Sequence, residues 1–218
     1  MESIIVKNIM EEKYYRYALW LSIFTILANL IEGGFSTFLG YSDGTIALFG
    51  FGIDSFIEVI SAIGILVMVI RLKAGKSHKR NQLEIIALRV TAISFFLLVA
   101  GLLATTVLNV INRQQPESTR WGIVISLISI SVMFFLVQAK MKVGKFLNSD
   151  AIIADAKCTR VCIYMSVVLL ASSLLYSLTG IGLMDTLGAL GIAYYSFTEG
   201  KEAWEKAAGK EDCDCEAD

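Results

Sequence analysis

Of the 218 residues 56% are hydrophobic, one is proline, and the formal net charge is -1. Soluble domains run nearer about 45–50% apolar, so this composition, with a mean hydropathy of +0.65, implies an all-α polytopic membrane protein whose solvent is the lipid bilayer. A pI of about 5.9 leaves no basic stripe for nucleic acid, and four cysteines do not make a secreted disulfide framework.

In chain order, the residues up to Glu12 mix apolar and charged positions and read as a short surface helix. Apolar spans follow at about 17–39, 44–70, 83–111, 121–141, 150–178 and 185–203. Crossing about 30 Å of hydrocarbon takes roughly 20 helical residues, so six transmembrane helices are expected, several long enough to tilt. The first span is too long for a signal-peptide core and lacks a small-residue cleavage pattern, so it is expected to be retained. Asp185 is placed as the N-cap of the last helix.

Orientation follows from Lys and Arg, which concentrate in short cytoplasmic loops. With the N-terminus inside, the inner segments hold Lys7, Lys13, Arg16, the basic loop from Arg71 to Arg80, Lys140, Lys142, Lys145, Lys201, Lys206 and Lys210, while the outer turns hold only Arg113 and Arg120. Both termini are therefore expected in the cytosol. The chain divides into a cytosolic segment 1–16, a transmembrane domain 17–203 and a cytosolic Cys/acidic tail 204–218. Arg89, Lys157 and Arg160 lie about two turns into their helices, where long side chains can snorkel to the interface.

Two pairs of metal-competent side chains interrupt the apolar runs: Asp54 and Glu58 in the second span, Cys158 and Cys162 in the fifth. A spacing of four puts both members of a pair on one helix face, a turn apart. Acids at this depth are costly enough to be read as functional. Setting Thr45 against Ser149 brings Asp54 onto Cys158 and Glu58 onto Cys162, with small residues coinciding between them. That correspondence fits an inverted repeat of three helices each, with the ligand pairs near the midplane.

The second span, Gly44-Thr-Ile-Ala-Leu-Phe-Gly-Phe-Gly-Ile-Asp54-Ser-Phe-Ile-Glu58, and the fifth, Ser149-Asp-Ala-Ile-Ile-Ala-Asp155-Ala-Lys-Cys158-Thr-Arg-Val-Cys162, resemble the metal-binding helices of cation diffusion facilitators. Those helices read approximately GSxALLADAxHSxxD and SxALxADAxHxxxD. The sixth span, from Asp185 to Gly200, is similar to the family's last helix, which also opens with Asp. The resemblance implies a tetrahedral divalent-cation site at Asp54, Glu58, Cys158 and Cys162, export of the ion in exchange for protons, a homodimer and no enzymatic activity. Two thiols stand where the family usually has His and Asp, and only a short tail follows Ala203 in place of the family's cytosolic metal-binding domain.

Zn²⁺ accepts thiolate and carboxylate ligands, whereas thiolates favour softer ions such as Cd²⁺ or Hg²⁺. Binding to ionised ligands releases protons, the linkage that exchange requires. Asp155 is a further candidate, as an outer partner of the site or a ligand met on the way in from the cytosol, against the plainer reading of a hydrogen-bonded acid facing the bundle interior. Cys213 and Cys215 in the tail could capture metal, or belong to a merely solvating acidic terminus. Glu32 could line an exit path or simply be buried; His78 is expected to be solvated. The competing function is a non-transporting metal-binding or regulatory membrane protein whose acids are neutralised by Lys157 and Arg160. A thiol-redox enzyme is disfavoured, because cysteines one turn apart are not a CxxC pair.

Overall fold

The computed structural model describes residues 2–42, 46–74, 80–111, 120–179 and 183–209. They form six helices: α1 (Glu2–Ser42), α2 (Ile46–Lys73), α3 (Arg80–Ile111), α4 (Arg120–Leu147), α5 (Asp150–Thr179) and α6 (Leu183–Ala207). Lipid offers backbone groups no hydrogen bonds, so a helix, which satisfies its own, is the form an apolar run takes there. The opening residues, read as a separate surface helix, are continuous with the first span in α1. Helix α6 begins two residues before Asp185, which thus lies in its first turn instead of capping it.

Polar side chains face inward among a buried apolar core, and many large apolar ones face outward. Ser22, Thr25, Asn29, Ser36, Ser61, Thr91, Ser94, Ser126 and Ser129 are buried, while Trp20, Phe35, Phe38, Phe135 and Tyr194 are between 62 and 73% exposed. An apolar surface of that extent is untenable in water and ordinary against acyl chains. Many of the inward hydroxyls bond a carbonyl one turn back, as Ser22 does to Ala18 at 3.0 Å, Thr25 to Leu21 at 2.8 Å and Ser94 to Val90 at 3.1 Å, so they need no water.

Among the described residues four helices are long and apolar enough to cross a membrane, over Met10–Ser42, Leu48–Lys73, Arg80–Leu108 and Ser126–Leu147. Helix α5 carries Asp150, Asp155, Lys157 and Arg160 towards its start, and α6 carries Glu199, Lys201, Glu202, Glu205 and Lys206 towards its end.

Helices α2 and α5 are the hub. Helix α2 packs on α1, α3 and α5, and α5 on α2, α3, α4 and α6; α1 meets α4, and α3 meets α6. The tightest crossing is α1 on α2. A Cβ added to Gly52 would lie 2.6 Å from the Thr37 backbone nitrogen, and one added to Gly33 would lie 3.0 Å from the Gly52 carbonyl oxygen. Small residues at such crossings let backbones approach, which is where helix pairs in lipid gain their packing energy.

Gly52→Val is therefore expected to separate α1 from α2 and, since overpacking costs about 1–3 kcal/mol or more, to lower the thermal unfolding midpoint of the detergent-purified chain by several degrees. Gly34→Ala, on the same helix but with nothing within 4 Å of the new Cβ, should leave the midpoint unchanged.

Candidate metal centre

Helices α2 and α5 face each other with a polar stripe. From α2 come Asp54, Ser55, Glu58 and Ser61; from α5 come Asp155, Cys158, Thr159, Cys162 and Ser166. All are no more than 4% exposed. The spacing of three and four residues keeps each set on one face, and α2 and α5 are in contact.

The stripe is tied together in order along the helices. The Ser61 hydroxyl donates to Asp155 Oδ1 at 2.7 Å and shares a 3.0 Å hydrogen bond with Thr91 of α3. The Thr159 hydroxyl donates to Glu58 Oε1, and the Cys162 thiol donates to Glu58 Oε2 at 3.0 Å. Both oxygens of Glu58 are thus engaged by α5.

A third helix adds the positive charge. Lys140 of α4, 2% exposed, puts its ammonium 2.8 Å from Asp155 Oδ2 and 3.8 Å from Glu58 Oε1, and donates to Thr159 Oγ1 at 2.8 Å. A buried carboxylate without a partner is prohibitively costly, and this lysine compensates two.

Of the four residues expected as ligands, Glu58 and Cys162 come into direct contact. Cys158, also a free thiol, sits in an apolar cluster with Ile57, Phe95, Leu98 and Val161. Asp54 Oδ1 faces Gly101 of α3, 3.4 Å from where a Cβ there would be. Among the described residues no three Cys, His, Asp or Glu side chains converge as a ready coordination sphere. Asp155 faces the bundle interior and is hydrogen-bonded.

The transmembrane domain of the cation efflux family matches residues 19–207. The chain belongs to the cation efflux family. It is accordingly an integral, multi-pass membrane protein and a transporter of divalent metal cations, with the metal as its substrate.

Two charge assignments in this cation efflux protein differ from the sequence expectation. Lys157 neither snorkels nor neutralises the acids of α2: its ammonium lies 2.7 Å from Glu199 and 2.8 Å from Glu202, because its position on α5 faces α6. Lys206 extends the same network, 2.8 Å from Glu202 and 3.7 Å from Asp150. The cation that meets Glu58 is Lys140, which the sequence reading counted only as an inner-side charge. The periodicity of α4 carried the signal. Its buried positions include Met133, Leu136, Val137, Lys140, Val143 and Leu147, so Lys140 falls on the inward stripe and the exposed Lys142 and Lys145 fall off it. Arg89 is exposed, as a snorkelling side chain is. Cys213, Cys215 and His78 lie outside the described residues.

Glu32 belongs to a separate polar seam. Its carboxyl lies beside Ser129 of α4, Asn29 Oδ1 and Ser36 Oγ on α1 and Ser126 Oγ on α4 are buried without a hydrogen-bond partner, and α1 and α4 are in contact. Unpaired buried polar atoms in such number are normally met by water.

The register of Lys140 against α5 is set by the turn between α4 and α5. Helix α4 ends in a Schellman motif: Ser149 N–H donates to Gly144 O at 3.0 Å, Asn148 N–H to Lys145 O at 3.4 Å, and Asn148 takes φ 47°, a left-handed conformation that Asn tolerates. Ser149 then caps α5, accepting from Ile152 N–H at 3.3 Å. The first turn of α3 reaches across. Arg80 donates to the Leu147 carbonyl, and Glu84 Oε1 accepts from Ser149 Oγ at 2.5 Å and from Ala151 N–H at 3.0 Å.

Glu84→Ala removes an acceptor from the start of α5 and should cost about 1–2 kcal/mol, the usual worth of a helix cap, read as a lower unfolding midpoint in detergent. Glu84→Gln keeps a carbonyl acceptor and should recover most of the loss.

Proposed function

We propose that this protein exports a divalent metal ion in exchange for protons, with Zn²⁺ as the first candidate and Cd²⁺ or Hg²⁺ as softer alternatives, through a centre built from Asp54, Glu58, Cys158 and Cys162. The observation that carries the reading is the 3.0 Å contact of the Cys162 thiol with Glu58 Oε2: a thiol and a carboxylate from two helices already share one point in the membrane interior. Asp54 and Cys158 stand one turn away on the same helices. Relative movement of α2 and α5 by a fraction of a turn brings them in, and the tetrahedral S/O set they complete suits Zn²⁺.

Proton exchange follows from the ligand types. A thiol must lose its proton to ligate, so loading the metal expels protons and protonation expels the metal. The thiol bonded to Glu58 has a carboxylate beside it to take that proton. The unpaired seam on α1 and α4 offers Glu32 and the serines as a hydrated route to the outer side, and Asp155 lies on the inner side of Glu58.

The same reading places six spans in the membrane with both termini in the cytosol, segments 1–16 and 204–218 flanking the transmembrane domain 17–203, the cell membrane as location and a homodimer as the assembly. Cys213 and Cys215 in the tail would capture metal on the cytosolic side.

Proteoliposomes with an entrapped metal-sensitive dye test this. Zn²⁺ or Cd²⁺ flux should rise when an opposed pH gradient is imposed. It should fall at least roughly tenfold in Cys158→Ala/Cys162→Ala and in Glu58→Gln, since even changes to groups around ligands cost about 10–100-fold in metal sites. Flux that ignores these ligand changes removes the assignment of the centre; flux that ignores the pH gradient removes proton exchange.

A further inference from the structure

The Lys140 ammonium has three oxygen neighbours from α2 and α5, at 2.8 Å (Asp155 Oδ2), 2.8 Å (Thr159 Oγ1) and 3.8 Å (Glu58 Oε1). The arrangement is uneven. Asp155 holds the charge directly, whereas Glu58 is met mainly through Thr159, whose hydroxyl accepts from the lysine and donates to the carboxylate. The lysine therefore belongs to Asp155 and leans on Glu58.

A divalent ion on Glu58 would share that carboxylate with the ammonium. Two positive charges a few ångströms apart in a poorly screened interior repel strongly, and a flexible four-carbon stem lets the lysine retreat while Asp155 keeps it paired. We infer that Lys140 is a tethered competitor of the substrate ion: it compensates Glu58 when no metal is bound, is displaced toward Asp155 when metal arrives, and returns to help expel it. This rests on the metal centre proposed above and assigns a residue that sets its affinity. A transported ion must bind well enough to enter and weakly enough to leave, and an internal cation that trades places with it supplies the second half.

A purely structural ion pair makes the opposite demand, because removing Lys140 would then only damage the centre. A lysine that served to favour thiolate formation would likewise weaken metal binding when removed.

The test uses the full chain in detergent with Cys213→Ser/Cys215→Ser throughout, so that the ultraviolet thiolate-to-cadmium charge-transfer band reports the membrane thiols alone. Titration with Cd²⁺ should show Lys140→Met binding roughly tenfold or more tighter than its parent, the expected result of deleting a like charge next to the ion, with slower metal release in liposomes. Should that variant fail to give a monodisperse protein, Lys140→Met/Asp155→Asn removes both charges and should tighten binding in the same direction by a smaller factor. Equal or weaker Cd²⁺ binding in the folded variant overturns the inference and leaves the centre standing. No band in the parent, or a band that survives Cys158→Ala/Cys162→Ala, overturns the centre and the inference with it.

Discussion

A carboxylate that cannot reach water must be given a partner, and in this protein the partner comes from a third helix. Glu58 and Asp155 face each other across the contact of α2 and α5, both essentially inaccessible, and one ammonium from α4 serves both. Ser61 takes up the remaining oxygen of Asp155 and the Cys162 thiol that of Glu58. The cost of an unmatched charge in lipid thereby fixes where three helices must sit relative to one another, which apolar packing alone does not.

The rest of the bundle follows from the same solvent. With no hydrophobic force between helices in lipid, association relies on close backbone approach and internal hydrogen bonds. Both are present where they matter. Glycines bring α1 onto α2, serines and threonines face inward, and many large apolar side chains face the lipid. The charges that remain on α5 and α6 find one another, Lys157 with Glu199 and Glu202.

Much of this was legible in the sequence. The length and spacing of apolar runs announced six helices, and the four-residue spacing of Asp54 with Glu58 and of Cys158 with Cys162 announced a shared face on each of two helices. What was not legible was pairing across helices. Lys140 and Lys142 look alike in a count of inner-side charges, and only the phase of α4, which turns one inward and the other out, separates them. Lys157 departs from expectation for the same reason: its depth allows snorkelling, but its azimuth on α5 aims it at α6. The convergence of ligands was also beyond the sequence, because a spacing of four guarantees a shared face and says nothing about the rotation of that face toward its partner. Glu58 and Cys162 meet, whereas Cys158 is turned into the cluster around Phe95.

The clamp at the start of α3 has a mechanical consequence. Arg80 and Glu84 hold the α4 carboxyl end and the α5 amino end at once, and the Lys157 network welds α5 to α6. On the other side, glycine contact leaves α1 and α2 no room to slide past each other. Helices α4, α5 and α6 are thereby joined at the two ends of the α4–α5 turn and along the Lys157 network, while α2 is held against α1 by glycine contact and packs closely on α3 as well. Around Glu58 itself the ties between α2, α4 and α5 are side-chain bonds to Thr159, Cys162 and Lys140, which can be exchanged one at a time, so the place where the bundle can rearrange without breaking a backbone contact is the carboxylate at its centre.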